Sequence, residues 1–337
     1  MIIPIFVPHA GCPHQCVFCN QQTITGYKKV ETTAEQIDKI RAYLTSHHSQ
    51  QPVQIAFYGG TFTALPRAIQ DMYLKAARLF VRTGQVQSIR LSTRPDCITS
   101  DTLTFLKENH VTIIELGAQS MDNRVLALCG RGHTANDTHT AVTLLKEHGF
   151  TVGLQLMPGL PGDAENCFKN TIYEIIDLKP HFVRLYPALV IKGTKLEELY
   201  KRGQYVPLTL SEAINRCREA YLNFMRAGIS VIRMGLQPTE ELERPGTIVA
   251  GPFHPAFSQL VISSILLDSM RSALEKKKDK LETAIFYVNP RDISAAIGQR
   301  RVNIVTLKKE FGLQKIYFVA NQKVCRNRVV LSASPTV

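Results

Sequence analysis

The stretch IIPIFVPHAGCPHQCVFCN (residues 2–20) places an apolar run directly before three cysteines, Cys12, Cys16 and Cys19. The β-branched residues of the run predict a strand over residues 2–8. Three thiols in one short loop exceed what a single disulfide needs, and they fall one short of a structural zinc site, which takes four protein ligands. A set of three leaves a coordination position open, as catalytic metal sites do. The loop therefore predicts a metal centre that also binds a small molecule.

Five further apolar runs follow the first one, and stretches with helical character separate them. The predicted strands cover residues 2–8, 53–60, 87–95, 112–120, 151–159 and 181–189. Helices are predicted from the capping-box pattern at 32–35, after Thr99, and over 164–178. This alternation predicts an α/β fold with a parallel, right-handedly wound sheet. Six units suit an open doubly wound sheet or a partial (β/α)6 TIM-type barrel, and periodicity alone does not choose between them.

Glycines and polar residues gather where the predicted strands end. Gly59 and Gly60, Arg94, Gln119, and Pro158 with Gly159 all lie at carboxyl ends. The three-cysteine loop follows the first strand, so it lies at the same edge. Because parallel α/β sheets and barrels bind ligands at that edge, we expect one functional site there.

Thiolates suit both iron–sulfur clusters and zinc, so the cysteines leave both open. A [4Fe–4S] cluster normally takes four cysteines, and three would leave one iron free for a small molecule. Zinc would need a fourth ligand, and His14 lies inside the loop. The other five cysteines are scattered singly. They do not form a disulfide framework and are predicted to be buried side chains.

The spacing Cys12-x3-Cys16-x2-Cys19, with Phe18 before the last cysteine, resembles the signature of the radical S-adenosylmethionine (SAM) family. The resemblance implies that these cysteines hold a [4Fe–4S] cluster and that SAM binds its fourth iron. It also implies an electron donor such as ferredoxin or flavodoxin. In this family the reduced cluster cleaves SAM, and the 5′-deoxyadenosyl radical takes a hydrogen atom from the substrate. The cofactor does the chemistry, while the protein positions and shields it.

Further motifs resemble the subgroup that contains oxygen-independent coproporphyrinogen oxidases and the Elongator catalytic subunit. They are YGGTF (58–62), STRPD (92–96), ELGAQS (115–120) and LMPGLPGD (156–163). Ser92 stands where the second motif often carries Glu. The resemblance assigns to the cofactor Phe18, Gly59, Gly60, Thr61, Ser92, Arg94, Gln119, Pro158 and Gly159. The alternatives are a tight turn at the glycine pair, a surface salt bridge at Arg94 and a rigid loop at 158–162.

The likeness is greatest to the Elongator branch, through CGRGHT (129–134) and YPALVIKGTKLEELYKRGQY (186–205). That branch has a longer gap between its first two cysteines, and 337 residues leave no room for its acetyltransferase domain. The barrel, the cluster and the cofactor are therefore carried over, and acetyl-dependent wobble-uridine chemistry is not. Arg184 and Tyr186, at the end of the sixth strand, are candidate substrate contacts, although Tyr186 serves packing equally well.

The alternation loosens after residue 190. A helix is predicted over 208–228, with Ser211 as its cap and Gly228 as its stop, followed by a strand over 229–237 and a loop over 238–257. We expect three parts. These are a barrel over 1–190, a C-terminal extension over 191–260, and a basic module over 264–337.

The net charge of +12 is concentrated near the end, where residues 268–337 hold 14 Lys and Arg against 6 Asp and Glu. Such a tail predicts an acidic partner, most simply nucleic acid, although a solvated basic face is the alternative. Residues 283–322 predict a strand, a helix, a tight loop, a helix and a strand.

The segment DISAAIGQRRVNI (292–304) resembles the core of a KH RNA-binding module, whose G-x-x-G loop clamps phosphates. Here Arg301 replaces the second glycine, which leaves Gly298, Arg300, Arg301, Lys308 and Lys309 as candidate RNA contacts. The alternative is a small α/β cap that does not bind RNA.

These features favour a radical SAM enzyme that modifies RNA, above all tRNA. A radical SAM enzyme with a small porphyrin-like substrate and a non-catalytic iron–sulfur RNA-binding protein are the alternatives. No apolar run approaches the roughly 20 residues that a membrane span needs. The amino terminus lacks the pattern of a signal peptide, so we expect a cytoplasmic protein without membrane contact.

Overall fold

Parallel strands joined by helices make up most of the fold, in a computed structural model that describes residues 1–7, 11–20, 31–46, 51–277 and 281–332. The strands are β1 (Ile2–Val7), β2 (Gln54–Gly59), β3 (Ser88–Thr93), β4 (Val111–Gln119), β5 (Thr151–Leu156), β6 (Phe182–Leu185), β7 (Val190–Ile191), β8 (Ser230–Met234), β9 (Ile248–Ala250), β10 (Thr283–Val288), β11 (Lys315–Ala320) and β12 (Val329–Leu331). The α-helices are α1 (Thr33–Thr45), α2 (Arg67–Arg82), α3 (Ser100–Glu108), α4 (Asn123–Leu128), α5 (Ala135–Glu147), α6 (Glu165–Leu178), α7 (Lys195–Lys201), α8 (Leu210–Arg226), α9 (Glu240–Glu243), α10 (Phe257–Glu275), α11 (Ile293–Ile297) and α12 (Val302–Phe311).

The described strands of the main sheet number seven, and they pair in the order β1-β2-β3-β4-β5-β6-β8. Every neighbouring pair is parallel. The predicted α/β class and partial TIM-type barrel are confirmed. The sheet has one strand more than the six predicted, because β8 pairs with β6 although it lies beyond residue 190.

The two faces of this sheet differ in polarity. One face is apolar and buried, with residues such as Ile55, Leu91 and Leu154, and helices pack on the strands. The opposite face carries polar side chains, including Arg90 on β3 and Glu115 on β4. Because the helices of a barrel lie outside, the polar side is the inner face of the partial barrel.

Gly59 is the last residue of β2, and the close approach of the neighbouring strand β1 leaves no space for a side chain there. It pairs with Val7 of β1 and has φ 111°, a value that side chains rarely allow. A Cβ at this position would overlap the carbonyl oxygen of Val7. The N–H of Gly60 donates to that same oxygen at 3.1 Å. The glycine motif thus closes the β1–β2 edge directly beside the cysteine loop.

Helix starts follow local capping. The predicted capping box is present at Thr32, whose N–H donates to Glu35 Oε2 at 2.8 Å. The prediction of Ser211 as a cap is wrong, because Thr209 caps α8 and its N–H donates to Glu212 Oε2 at 2.7 Å. The Thr-x-x-Glu pair satisfies two backbone groups reciprocally, so the helix begins before Ser211. Gly228, at φ 74°, follows the end of α8 as predicted.

The segment predicted as a loop over 238–257 holds two short elements. Helix α9 starts after Thr239, whose side chain accepts from the N–H of Leu242 at 3.2 Å. Strand β9 pairs antiparallel with β7. The prediction missed both because they have three or four residues each, too few to show a periodicity.

The chain divides into two compact units, residues 1–213 with 220–253 and residues 214–219 with 254–337. In the second unit β10 runs parallel to β11 and antiparallel to β12, in the order β11-β10-β12. The predicted strand, helix, loop, helix and strand are present. Asn303 is buried, and its Nδ2 donates to the carbonyl oxygens of Ser263, Ala295 and Ala296 at 3.1–3.2 Å. These bonds join α12 to α10 and α11.

Within the described ranges, every helix is too short or too polar to serve as a membrane crossing.

Candidate active site

The cysteine loop follows β1 and is tied to other parts of the first unit by its backbone. Cys16 is buried, while Cys12 and Cys19 are partly exposed. The N–H of Val17 donates to Cys129 O at 3.0 Å, and the carbonyl of Val17 accepts from the N–H of Leu196 at 2.8 Å. The N–H of Cys19 donates to Cys16 O at 3.1 Å. The thiols are therefore held on an anchored turn.

The structure brings Cys12 together with the glycine motif. Its Sγ lies 3.2 Å from Oγ1 of Thr61, a buried residue that follows β2. Thr61 was assigned to the cofactor by resemblance, and here it contacts the first cysteine.

Arg131, in the segment after α4, links the cysteine loop to two strands. Its Nη1 donates to Cys16 Sγ at 3.2 Å, and its Nη2 donates to the carbonyl of Gly117 on β4 at 2.6 Å. The carbonyl of Arg131 accepts a hydrogen bond from Arg94, the residue after β3. A buried guanidinium therefore places a positive charge directly beside the sulfur of Cys16.

Arg94 forms a salt bridge with Asp96, but its guanidinium lies inside the protein and not at the surface, which corrects that alternative. It is buried, and it donates to both carboxylate oxygens of Asp96 at 2.8 and 2.9 Å. Burial acts to lower the pKa of Arg94, but the hydrogen bonds and the charge of Asp96 outweigh it and raise the pKa. The residue is a fixed cation near the cysteine loop.

The donor set has the chemistry that an iron–sulfur cluster takes. In the part of the chain that the structure describes, no three His, Cys, Asp or Glu side chains converge to hold one metal ion. His14, the alternative zinc ligand, is exposed and its ring packs against Gly132. Three thiols on one loop, one of them beside a guanidinium, match the soft donors that iron–sulfur clusters take.

Replacing Arg131 by methionine should loosen the cluster. Loss of a partner that orients a metal ligand typically costs about 10- to 100-fold in metal affinity. Loss of a hydrogen bond to the sulfur should also lower the midpoint potential. Iron release to a chelator and a potentiometric titration measure the two effects. Arg124→Met, at an exposed position on α4, is the control, and equal release from both variants would contradict the role of the contact.

Arg184 and Tyr186, the candidate substrate contacts, meet around a buried carboxylate on the inner face. Glu115 Oε1 lies 2.7 Å from Nη2 of Arg90 and accepts from Nη2 of Arg184 at 3.3 Å. Arg184 also donates to the hydroxyl oxygens of Tyr186 and Tyr58, each at 2.9 Å. Two arginines thus share one carboxylate, which leaves the group with an excess positive charge.

The pKa values of Tyr58 and Arg184 are both raised above their usual values. Burial and then the charge of Glu115 raise the pKa of Tyr58 to about 12, so its hydroxyl stays protonated. Burial acts to lower the pKa of Arg184, but Tyr186 and Glu115 outweigh it and raise the pKa. Arg184 therefore stays a cation on the inner face, which suits an anionic ligand.

Gln119 has an uncommon backbone conformation at the predicted cofactor edge. Its φ is 68°, and such a conformation costs roughly 1–2 kcal/mol for a residue with a side chain. Its Oε1 accepts from Gln155 Nε2 at 3.1 Å. Ser92 lies on the inner face, paired with Glu115 in the sheet register. Strain of this kind clusters at functional sites, so the role of Gln119 toward the cofactor stays a prediction with added support.

Pro158 and Gly159 form a loop whose polar groups bond within the protein. The carbonyl of Pro158 accepts from Ala188 N–H at 3.0 Å, and that of Gly159 accepts from the Tyr205 hydroxyl at 2.6 Å. The N–H of Gly159 donates to Asp163 Oδ2 at 2.7 Å. These bonds are consistent with the alternative of a rigid loop, and the contact of Pro158 and Gly159 with the cofactor stays a prediction. Phe18 is partly buried and packs on an apolar cluster.

Sequence reasoning missed several residues of the site. They are Tyr58, Arg90, Glu115, Arg131 and His133. Arg131 and His133 lie in the CGRGHT segment, which carried the resemblance without an assigned role. Arg90 and Glu115 are charged residues in the middle of predicted strands, and a charge at such a position is the signal that could have found them.

His133 predicts a loss of stability in mild acid. It is buried, and burial followed by the charges of Arg131 and Arg94 lowers its pKa from 6.5 to about 4. Between these values the unfolded chain binds the proton and the folded chain does not. Stability therefore falls as the pH drops from about 6.5 toward 4.

Between pH 6.5 and 4 the free energy of unfolding of the parent should fall as His133 becomes protonated in the unfolded chain. Changing His133 to asparagine should reduce this fall by up to about 3 kcal/mol. Urea unfolding of the apoprotein at several pH values between these limits measures it. His110→Asn, at an exposed position, is the matched control and should keep the parent's slope. A His133→Asn protein with the parent's pH dependence would contradict the expectation.

The scattered cysteines were all predicted to be buried, and this holds for only two of them. Cys129 and Cys217 are buried, and burial raises the pKa of Cys129 to about 12. Cys97 and Cys167 are partly exposed, and Cys325 is exposed. Cys325 lies in the segment between β11 and β12.

A partial barrel with three cysteines after its first strand is the arrangement typical of radical SAM enzymes. Comparison with known proteins gives the same class. Residues 6–175 match the Radical SAM superfamily, and residues 180–266 match the Radical_SAM C-terminal domain. The chain belongs to the radical SAM superfamily. Members of this family use a [4Fe–4S] cluster and S-adenosylmethionine.

Relatives place the chain near the predicted branch. The tRNA uridine(34) acetyltransferase of Methanocaldococcus infernus is 30% identical over an alignment of 259 positions, and the match covers 63% of this chain and 47% of that protein. Elongator complex protein 3 of Homo sapiens is 28% identical over an alignment of 254 positions, and the match covers 61% of this chain and 46% of that protein. The chain spans about half the length of these curated relatives.

A solved structure gives the same result for the fold. The archaeal Methanocaldococcus infernus Elp3 with an N-terminal deletion (1–46) aligns with a TM-score of 0.62 and 25% identity. The alignment covers 78% of this chain and 62% of that chain. The predicted family is confirmed, the relatives include members of the predicted Elongator branch, and the KH-like module stays a prediction.

Proposed function

We propose that this chain is a radical SAM enzyme that modifies RNA, with tRNA as its substrate. The observation that carries the reaction class is the cysteine loop at the carboxyl edge of a barrel that matches the superfamily. Relatives named as tRNA uridine(34) acetyltransferases support tRNA. The excess positive charge around Glu115 supports an anionic substrate, since a phosphate group would be attracted to it.

In this proposal Cys12, Cys16 and Cys19 hold the cluster, and Arg131 orients Cys16. The bound cluster and SAM supply chemistry that removes a hydrogen atom from an unactivated C–H bond. The cofactor contacts are those assigned by resemblance: Phe18, Gly59, Gly60, Thr61, Ser92, Arg94, Gln119, Pro158 and Gly159. Arg184 and Tyr186 bind and orient the substrate on the inner face.

The wider setting completes the proposal. A ferredoxin or flavodoxin supplies the electron, and the enzyme works in the cytoplasm. The functional parts are the barrel over 1–190, the extension over 191–260 and the RNA-contacting module over 264–337.

The loop between α11 and α12 supports RNA binding by the second unit. Gly298 has φ 78°, and a Cβ there would lie 2.8 Å from Val302 Cγ1. Arg300 and Arg301 follow with φ 49° and 61°, a region that favours glycine, and both are exposed. Each arginine in this conformation destabilises the backbone by roughly 1–2 kcal/mol relative to glycine. Strained residues of this kind cluster at functional sites, which favours a function for the two side chains. Lys308 and Lys309 are exposed on α12.

Release of 5′-deoxyadenosine tests the reaction. Reconstituted protein is reduced with dithionite in the presence of SAM, with and without unmodified tRNA. We expect tRNA to accelerate the release and to carry a nucleoside of altered mass. Stimulation by porphyrinogens alone would support the small-molecule alternative, and no 5′-deoxyadenosine at all would support a non-catalytic iron–sulfur protein.

Arg300→Gly and Arg301→Gly test the RNA contact. Each should weaken tRNA binding and reduce the salt slope by about one unit, because one phosphate contact is lost. Their folding stability should hold or rise, since glycine relieves the left-handed strain. Lys179→Gly is matched to them, being exposed with φ 46° in the first unit. If it lowers tRNA affinity equally, the loop has no special role.

A further inference from the structure

The outer face of the β10–β12 sheet carries apolar and aromatic side chains at the protein surface. The inner face packs on a hydrophobic core with residues such as Phe286 and Phe318. Alternation sends to the outer face Thr283, Ile285, Tyr287, Lys315, Tyr317, Val319 and Val330. Tyr317 is 49% exposed and Val330 53% exposed. We call these seven residues the outer sheet face.

We propose that the outer sheet face binds a single-stranded segment of RNA, whose bases stack on Tyr287 and Tyr317. The inference rests on the proposed function, in which RNA is the substrate, and adds a second surface to the loop at 298–301. Tyr317 is paired with Ile285, two residues before Tyr287 on the neighbouring strand. The two rings therefore occupy diagonal positions on one face, where successive bases of a strand can meet them.

Charge decides between RNA and other occupants. Lys315 lies on the outer sheet face. Lys323 and Arg328 are exposed in the segment that connects β11 to β12. Residues 268–337 have a net charge of +8, from 14 basic and 6 acidic residues. A second copy of this chain would bring the same positive charge to the interface and be repelled. Aromatic rings beside cations are the combination that binds unpaired bases and their phosphates.

The test uses the full-length reconstituted protein and a short fluorescein-labelled oligouridylate, followed by fluorescence anisotropy. Tyr317→Ala and Tyr287→Ala should each weaken binding about 5- to 100-fold, the effect of losing one stacked base. The salt slope should stay unchanged, because stacking releases no counterions. Tyr317→Phe should bind like the parent, because it keeps the ring. Tyr173→Ala, at a tyrosine 55% exposed on α6, should have no effect.

Several outcomes would overturn the inference. One is parent-like binding by both alanine variants. A second is failure of the parent itself to bind the oligouridylate. A third is a parent dimer, seen by sedimentation, that Tyr317→Ala converts to monomer, because the face would then join two copies. The proposed function is judged separately, by whether tRNA stimulates 5′-deoxyadenosine release in the parent, so the two failures are distinguishable.

Discussion

Replacing Cys16 with alanine is expected to abolish cluster binding and all release of 5′-deoxyadenosine. Cys16 is the buried member of the three thiols, and Arg131 donates to its sulfur at 3.2 Å. Removal of a ligand should cost more than the roughly 100-fold upper range seen when only an outer partner is lost. Iron per chain after reconstitution and gel filtration, with the visible absorption of the cluster, measures the effect.

The matched control for this change is Cys217→Ala. Cys217 is also buried, but it lies on α8 and far along the chain from the cysteine loop. Its replacement should leave iron content and 5′-deoxyadenosine release at the parent's level. A Cys16→Ala protein with full iron and full activity would remove the basis of the proposed reaction, whatever the behaviour of the RNA-binding surfaces.

Replacing Glu115 with glutamine is expected to destabilise the barrel strongly. Its carboxylate is the shared partner of Arg90 and Arg184, and all three side chains are nearly buried. Removing one member of a buried charge group typically costs about 3–5 kcal/mol, because the remaining charges lose their partner out of water. The two arginines would face a neutral amide. Urea unfolding at neutral pH measures the loss.

Glu165→Gln makes the same chemical change at the surface. Glu165 pairs with Lys169 one turn away on α6 at 2.8 Å, and its side chain is 67% exposed. Exposed pairs of this kind contribute about 0–1 kcal/mol. Similar losses in the two variants would show that the buried group around Glu115 is no more important for stability than a surface pair.

The strand centres could be predicted from sequence, and the strand ends could not. The third strand was predicted over 87–95, but β3 ends at Thr93. Arg94 turns the chain, Pro95 has no N–H for the ladder, and the motif residues form a short 3₁₀ turn instead. The predicted strand therefore wrongly includes Arg94 and Pro95, the residues that indicated the functional edge. Strand β8 was recognised, but its place beside β6 depends on pairing across the sheet.

The candidate site was predictable where its residues are close in sequence. The three cysteines lie within one loop, so their spacing was enough. The contact of Arg131 with Cys16 joins residues 115 positions apart, and that of Glu115 with Arg184 joins residues 69 positions apart. No local pattern reports such pairs. They arise because a parallel sheet brings the ends of distant strands to one edge.

Arg131 also determines how the site assembles. One end of this residue holds the cysteine loop, while its backbone oxygen is held by Arg94 and its Nη2 by Gly117. A buried guanidinium loses its hydration, and these hydrogen bonds offset part of that cost. The cysteine loop and the ends of β3 and β4 are therefore expected to fold as one cooperative unit. A mutation that disrupts one of the three should also destabilise the other two.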